Sequence, residues 1–107
     1  MNTALNRGQL ESLLLGILTA GPAHGYEIIS ALKDRSDGAF DLPEGTVYPV
    51  LHRLEREQLL ASEWEDSGGR KRRVYRITAA GETNLQQAKE HWRGHVRSVN
   101  LILGVQS

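Results

Sequence analysis

Leu10, Leu13, Leu14, Ile17 and Leu18 fall at i, i+3, i+4, i+7 and i+8, the apolar stripe of an amphipathic helix. Gly21-Pro22 ends that pattern, because neither residue sustains a helix. A second helix is predicted from about His24 to Arg35, with Ile28, Ile29 and Leu32 turned inward. Ser36-Asp37-Gly38 breaks it, and the connection runs to about Asp41. Pro43 stands where a helix begins well, since its missing N–H would have had no partner there. Val47, Leu51 and Leu54, with Val50 beside them, mark the buried face of a third helix. Pro49 lies inside it and removes one backbone donor, which predicts a kink or an early start.

After that helix the period changes. Leu60, Ser62 and Trp64 alternate with Ala61, Glu63 and Glu65, the pattern of a half-buried strand. The segment Val74 to Ile77 reads as its partner, and Gly68-Gly69 supplies the positive φ angles of a tight reversal. Thr78 is placed to cap a further helix that extends close to the C-terminus. On it Leu85, Ala88, Trp92, Val96, Val99 and Leu103 recur every three or four residues, with Ile102 beside them. That stripe is nearer to a coiled-coil seam than to a broad core face. A small core has little room to cover it, so a second copy of the chain is the expected partner. The alternative is that the helix folds back on its own domain. Gly94 within the seam costs roughly 1 kcal/mol in helix propensity, and either admits another backbone or is simply tolerated.

Three helices, a hairpin and a long helix give a chain that is mainly α with a small β-hairpin (α+β). That is the order of a winged helix-turn-helix over residues 1–77, followed by a C-terminal dimerisation helix over 78–107. At 107 residues the chain is sized for one compact domain with an appended element. The absence of cysteine excludes disulfides and thiolate metal sites. No run approaches the roughly 18 apolar residues of a membrane span, and the N-terminus lacks a signal architecture. A soluble, cytoplasmic protein is expected.

Net charge is zero, from 13 basic and 13 acidic residues, which taken alone argues mildly against nucleic acid. The distribution matters more. Ser67 to Arg76 holds five basic residues and no acidic one, while Asp34, Asp37, Asp41 and Glu44 collect elsewhere. Fields fade over about 8 Å at physiological salt, so a concentrated patch acts independently of the total. The bland alternative is a solvated loop with surplus charge.

A helix beside a basic hairpin is suited to double-stranded DNA, the helix in a major groove and the hairpin along the phosphates. Thr46, Tyr48, His52 and Arg53 should lie off the buried face of the third helix. Thr46 near the helix N-terminus suits phosphate. Tyr48 offers a hydroxyl for phosphate and a ring for a thymine methyl, or else packs between helices. Arg53 suits guanine or the backbone, and His52 is equally a groove contact or a solvated residue. Arg70, Lys71, Arg72 and Arg73 would carry positive charge to phosphates, with alternation setting Lys71 and Arg73 on one face and Arg72 on the other. Tyr26 suits core packing better than phosphate. Glu55 and Arg56 read as exposed helix surface. No Gly-rich phosphate loop and no nucleophile–base spacing occurs, so an enzyme is not expected. A winged helix used for protein–protein contact remains the alternative class.

The stretches HGYEI at His24 to Ile28, GTVYPVLHRLE at Gly45 to Glu55 and YRITAAG at Tyr75 to Gly81 resemble the PadR family of prokaryotic transcription regulators, in its short form. One departure is Gln58, where the family usually has glycine; the turn there needs Gln58 left-handed or takes another shape. The resemblance implies a homodimer joined through the C-terminal helix, mostly repressing promoters and releasing DNA when an effector binds; the two-fold axis of such a dimer would call for a near-palindromic operator. Trp92, facing its symmetry mate, would enclose a flat aromatic effector, or would be a packed interface residue with no ligand. A divalent metal ion is the rival effector, because His91 and His95 share one helix side, although two imidazoles alone leave a site incomplete. No cofactor is required.

Overall fold

The computed structural model describes residues 5–106. Its elements are α1 (Arg7–Leu18), β1 (Ala23–His24), α2 (Gly25–Arg35), α3 (Glu44–Arg56), β2 (Leu60–Ser67), β3 (Arg70–Ile77) and α4 (Ala79–Leu103). The strands form one antiparallel sheet in the order β1-β3-β2. The expected helices and hairpin are present, and with them the α+β class. β1 is an addition. It pairs Ala23 with Tyr75 and His24 with Val74, a bridge too short for any period to reveal.

Side chains cap three of the four helix starts; α3, preceded by Pro43, has no side-chain cap. At α1 the Asn6 side chain accepts the Gln9 N–H at 2.8 Å, and the Gln9 side chain accepts the Asn6 N–H at 3.0 Å. His24 does the same for α2: its Nδ1 accepts the Glu27 N–H, while the Glu27 carboxylate accepts the His24 N–H. His24 is therefore a cap, and α2 begins one residue later. α3 runs through Pro49 without a break. The missing N–H deprives the Gly45 carbonyl of its helical donor, but both residues are exposed and water can serve it.

Leu14, Leu15 and Leu18 of α1 meet Ile28 and Leu32 of α2, Val47, Leu51 and Leu54 of α3, and Leu60 and Tyr75 of the sheet. Each fully buried leucine contributes about 1.5–3 kcal/mol relative to exposure. Leu15 lies off the predicted α1 stripe yet is fully buried, whereas Leu13 and Ile17 are half-buried. The cause is that α1 packs against α2, α3, β3 and α4, so it is wrapped on more than one side. Ile29, expected inward, is likewise only half-buried.

α3 ends in a turn with Gln58 at φ 62°. The Gln58 N–H returns to the Glu55 carbonyl at 3.0 Å and the Leu59 N–H to Leu54 at 2.9 Å. This is the bonding that a left-handed residue just past a helix permits, so Gln58 takes the conformation glycine would otherwise supply. Thr78 then joins this turn to α4. Its N–H donates to the Leu59 carbonyl at 3.1 Å, its hydroxyl to the Gln58 carbonyl at 2.7 Å, and its Oγ1 accepts the Gly81 N–H at 3.0 Å.

α4 has 25 residues and spans about 37 Å at 1.5 Å per residue. Only Gly81 and Leu85 on it are buried. Its distal half leaves the core, which raises the radius of gyration to 15.2 Å against about 13 Å for a compact chain of this length. Among the described residues, no helix is long and apolar enough to cross a membrane.

Candidate nucleic-acid interface

The outward face of α3 carries Gly45, Thr46, Pro49, His52 and Arg56, all exposed. Thr46 and His52 are thus free to meet a groove. Tyr48 is half-buried, and a Cβ on Gly25 would sit 2.3 Å from its hydroxyl, so the ring seats directly on the start of α2. Packing is one of the two roles expected of it; the His52 ring lies 6.3 Å away on the outer side. Arg53 is turned toward its own fold. Its Nε lies 3.6 Å from the Glu11 carboxylate of α1 and 3.4 Å from that of Glu57, without a hydrogen bond of good geometry. The pairing is coulombic and ties α3 to α1. Tyr26, expected in the core, is 68% exposed; it occupies the first turn of α2, where Gly25 and not Tyr26 meets α3.

The hairpin rearranges the charges that are contiguous in sequence. Register sets Arg72 opposite Glu65 and Lys71 opposite Asp66. Residues directly opposite share a face with Cβ atoms about 4.5–5.5 Å apart, so the acidic strand tempers the basic one. The wing is basic, but less so than Ser67 to Arg76 alone suggests. Arg70, Lys71 and Arg72 are exposed. Arg72 Nη1 lies 2.9 Å from His24 Nε2. The His24 tautomer sets whether this contact is a hydrogen bond, since the same ring also accepts the Glu27 N–H at Nδ1.

Arg73 differs. As alternation predicts, it lies on the opposite face from Arg72, the face of buried Tyr75. Its Nε–H donates to Ser62 Oγ at 2.8 Å and its Nη2–H to Glu55 Oε2 at 3.2 Å, while the Ser62 hydroxyl donates to the same Glu55 oxygen at 2.6 Å. The guanidinium sits 5.2 Å from the Trp64 ring centre. Glu55, expected on an exposed surface, is half-buried in this cluster; cross-strand neighbours are invisible to helix periodicity. The Ser62 hydrogen bond holds the Glu55 carboxyl below the usual glutamate range, with Arg73 adding its own hydrogen bond and charge against the opposing effect of burial. A depressed carboxyl stabilises the fold above the ordinary glutamate range, and that stability is lost as pH falls through the folded value. Melting temperatures of the wild type and Glu55→Gln should accordingly differ near neutrality and converge on acidification. A gap independent of pH would contradict the linkage.

On α4, Leu85 is buried, Ala88 and Val96 are half-buried, and Trp92, Val99 and Leu103 are exposed. Leu101 and Ile102 add further apolar surface, at 76% and 85% exposure. A groove of about 690 Å³ between α1 and α4 is lined by Leu13, Phe40, Leu85, His91, Trp92 and His95 among others. The His95 ring lies 5.7 Å from that of Trp92. Among the described residues no three His, Cys, Asp or Glu side chains come together to hold a metal. His91 and His95 thus remain a pair within one chain.

Three helices, a hairpin wing and an exposed face on the third helix define a winged helix-turn-helix. The chain belongs to the Transcriptional regulator PadR-like family, whose pattern matches residues 14–87. It is 41% identical over 75 residues to a transcriptional regulator of Mycobacterium tuberculosis, covering 70% of this chain and 67% of that one. A PadR family regulator from Eggerthella lenta superposes with a TM-score of 0.81 at 34% identity, over 94% of this chain and 86% of that one. A Streptococcus mutans protein gives a TM-score of 0.84 at 25% identity, over 100% and 99%. The family consists of transcriptional regulators, not enzymes.

Proposed function

We propose that this chain represses transcription as a homodimer, joined through α4 and bound to a near-palindromic operator. The observation that carries the dimer is the distal half of α4, where, among the described residues, Leu101, Ile102 and Leu103 are largely exposed and Val99 partly so. Contiguous apolar surface of this kind marks an association site. Two copies related by a two-fold axis present their α3 helices to successive major grooves, about 10 base pairs apart. Thr46 and His52 meet the groove, with Tyr48 packed on Gly25 behind them and reaching it only at its exposed edge, and Arg70, Lys71 and Arg72 meet phosphates. Arg53 and Arg73 reach DNA only by leaving their carboxylates.

Release follows from an effector at the α4 seam that binds the DNA-incompetent arrangement better than the competent one. A flat aromatic compound on Trp92 is the first reading, because the ring is 54% exposed beside an apolar groove. A divalent metal ion at His91 and His95 is the second, with ligands from the partner or water completing it.

Fluorescence anisotropy against a duplex selected from a random pool, and against a scrambled one, tests the DNA reading over a salt series. Removing one phosphate contact flattens the log–log salt slope by about 0.9. Alanine at Arg70, Lys71 or Arg72 should do this on both duplexes, while leaving the preference for the selected one. Unchanged slopes for all three would remove the wing from the interface, and no binding to any duplex at low salt would favour a protein-contact role.

A further inference from the structure

Of the five basic residues on β3, Arg73 is the one engaged by both β2 and α3. Glu55 lies in the last turn of α3, so the Glu55–Ser62–Arg73 triangle joins the recognition helix to both strands of the wing. Three hydrogen bonds close it, through Ser62 Oγ, Glu55 Oε2 and the Nε and Nη2 of Arg73. The Ser62 hydroxyl spends its one proton on Glu55 and accepts from Arg73, and one Glu55 oxygen receives both donors. Trp64, cross-strand from Arg73, lays its ring beside the guanidinium and limits its swing.

An arginine free on a wing attracts any phosphate, and phosphate contacts carry no sequence information. We propose that Glu55 is a specificity-determining positioning residue, which withholds Arg73 from DNA and fixes the wing to α3 at one spacing. The proposal rests on the reading that α3 and the wing both meet DNA. Its consequence is that groove contacts by α3 and phosphate contacts by the wing are accepted together or not at all. A duplex whose groove does not suit α3 then cannot be held through a hairpin that has swung to suit the backbone. The geometry of the triangle is local to one chain and does not depend on the dimer or on any effector.

Glu55→Gln keeps the shape and an oxygen for Ser62 but removes the charge that holds Arg73. The full-length variant, titrated with the selected and the scrambled duplex, should bind the scrambled one more tightly, roughly tenfold at low salt. Its salt slope there should steepen by about 0.9 for each arginine released. The selected duplex gains the same phosphate contact but loses the fixed spacing, so its affinity should rise less and the ratio of the two should fall. A variant that was merely unfolded would lose both affinities and flatten both slopes, so those outcomes are separable. Glu55→Gln with Arg73→Gln should return the slope to the wild-type value without restoring the ratio, because the free cation is gone but the strut is still missing. In a Trp92→Phe background, emission from Trp64 reports the guanidinium beside its ring and should shift in Glu55→Gln. Wild-type slope and ratio in a folded Glu55→Gln protein would overturn the proposal while leaving the DNA reading intact. Failure of the wild type to select or bind any duplex would overturn both.

Discussion

Gly81→Ala is expected to destabilise the fold by about 3 kcal/mol, at the upper end of overpacking costs. At roughly 4–8 °C per kcal/mol in a domain of this size, melting should fall by roughly 12–24 °C. A Cβ at Gly81 would lie 2.1 Å from the Leu59 carbonyl oxygen and 2.8 Å from Ile77 Cγ1. The first obstacle is backbone, and it cannot rotate away. Leu59 also accepts the Thr78 N–H, so moving its carbonyl would disturb the cap of α4 and the left-handed turn at Gln58 together. Gly94→Ala is the control in the same helix. Nothing lies within 4 Å of a Cβ there, so alanine should gain about 1 kcal/mol of helix propensity in the isolated chain. Chemical denaturation of the two variants measures both effects. Gly81→Ala melting with the wild type would mean that the packing of α4 on the α3–β2 turn is looser than the contact implies.

That joint also explains what a sequence reader can and cannot see. The stripes of α2 and α3, the alternation of β2 and the hydroxyl of Thr78 are local signals, and local signals survive into the fold. The conformation at Gln58 is left open by sequence alone, because a non-glycine residue there is held by bonds to Leu54 and Glu55 that sequence does not display. β1 is two residues long, and Leu15 is buried only because four elements surround α1. Both depend on assembly. Neither has a period of its own.

The interface is legible to the same limit. The exposed face of α3 follows from the buried one, and Thr46 and His52 lie on it. Counting charge along the chain overstated the wing, since folding the hairpin brings Glu65 and Asp66 against Arg72 and Lys71. Arg53 and Arg73 carry the residue type a DNA contact needs, yet both are committed to carboxylates from other elements or other turns. Residue type announces what a side chain can bind. Its partners in the fold decide whether it is free to do so.

Val99→Asp with Leu103→Asp should abolish the dimer and lower affinity for the selected duplex by about a hundredfold or more, the margin lost when two linked half-sites become independent. Both side chains are exposed in the single chain, at 36% and 67%, so the substitutions should change the fold of one copy by no more than about 0.5 kcal/mol. In an α4 seam, however, each carboxylate would be buried against apolar side chains without a partner, and that cost falls on association alone. Sedimentation should give a monomer at concentrations where the wild type is a dimer. The wild-type melting temperature should rise with protein concentration, as expected when folding is coupled to association, whereas the variant should melt at one temperature throughout. Residual binding should be equal on selected and scrambled duplexes, because each wing still meets phosphate but no second recognition helix is tethered to the next groove. A variant that remained dimeric would move the interface off the distal half of α4. A monomer that kept full preference for the selected duplex would show that one copy reads the whole site, and would remove the two-fold operator from the mechanism.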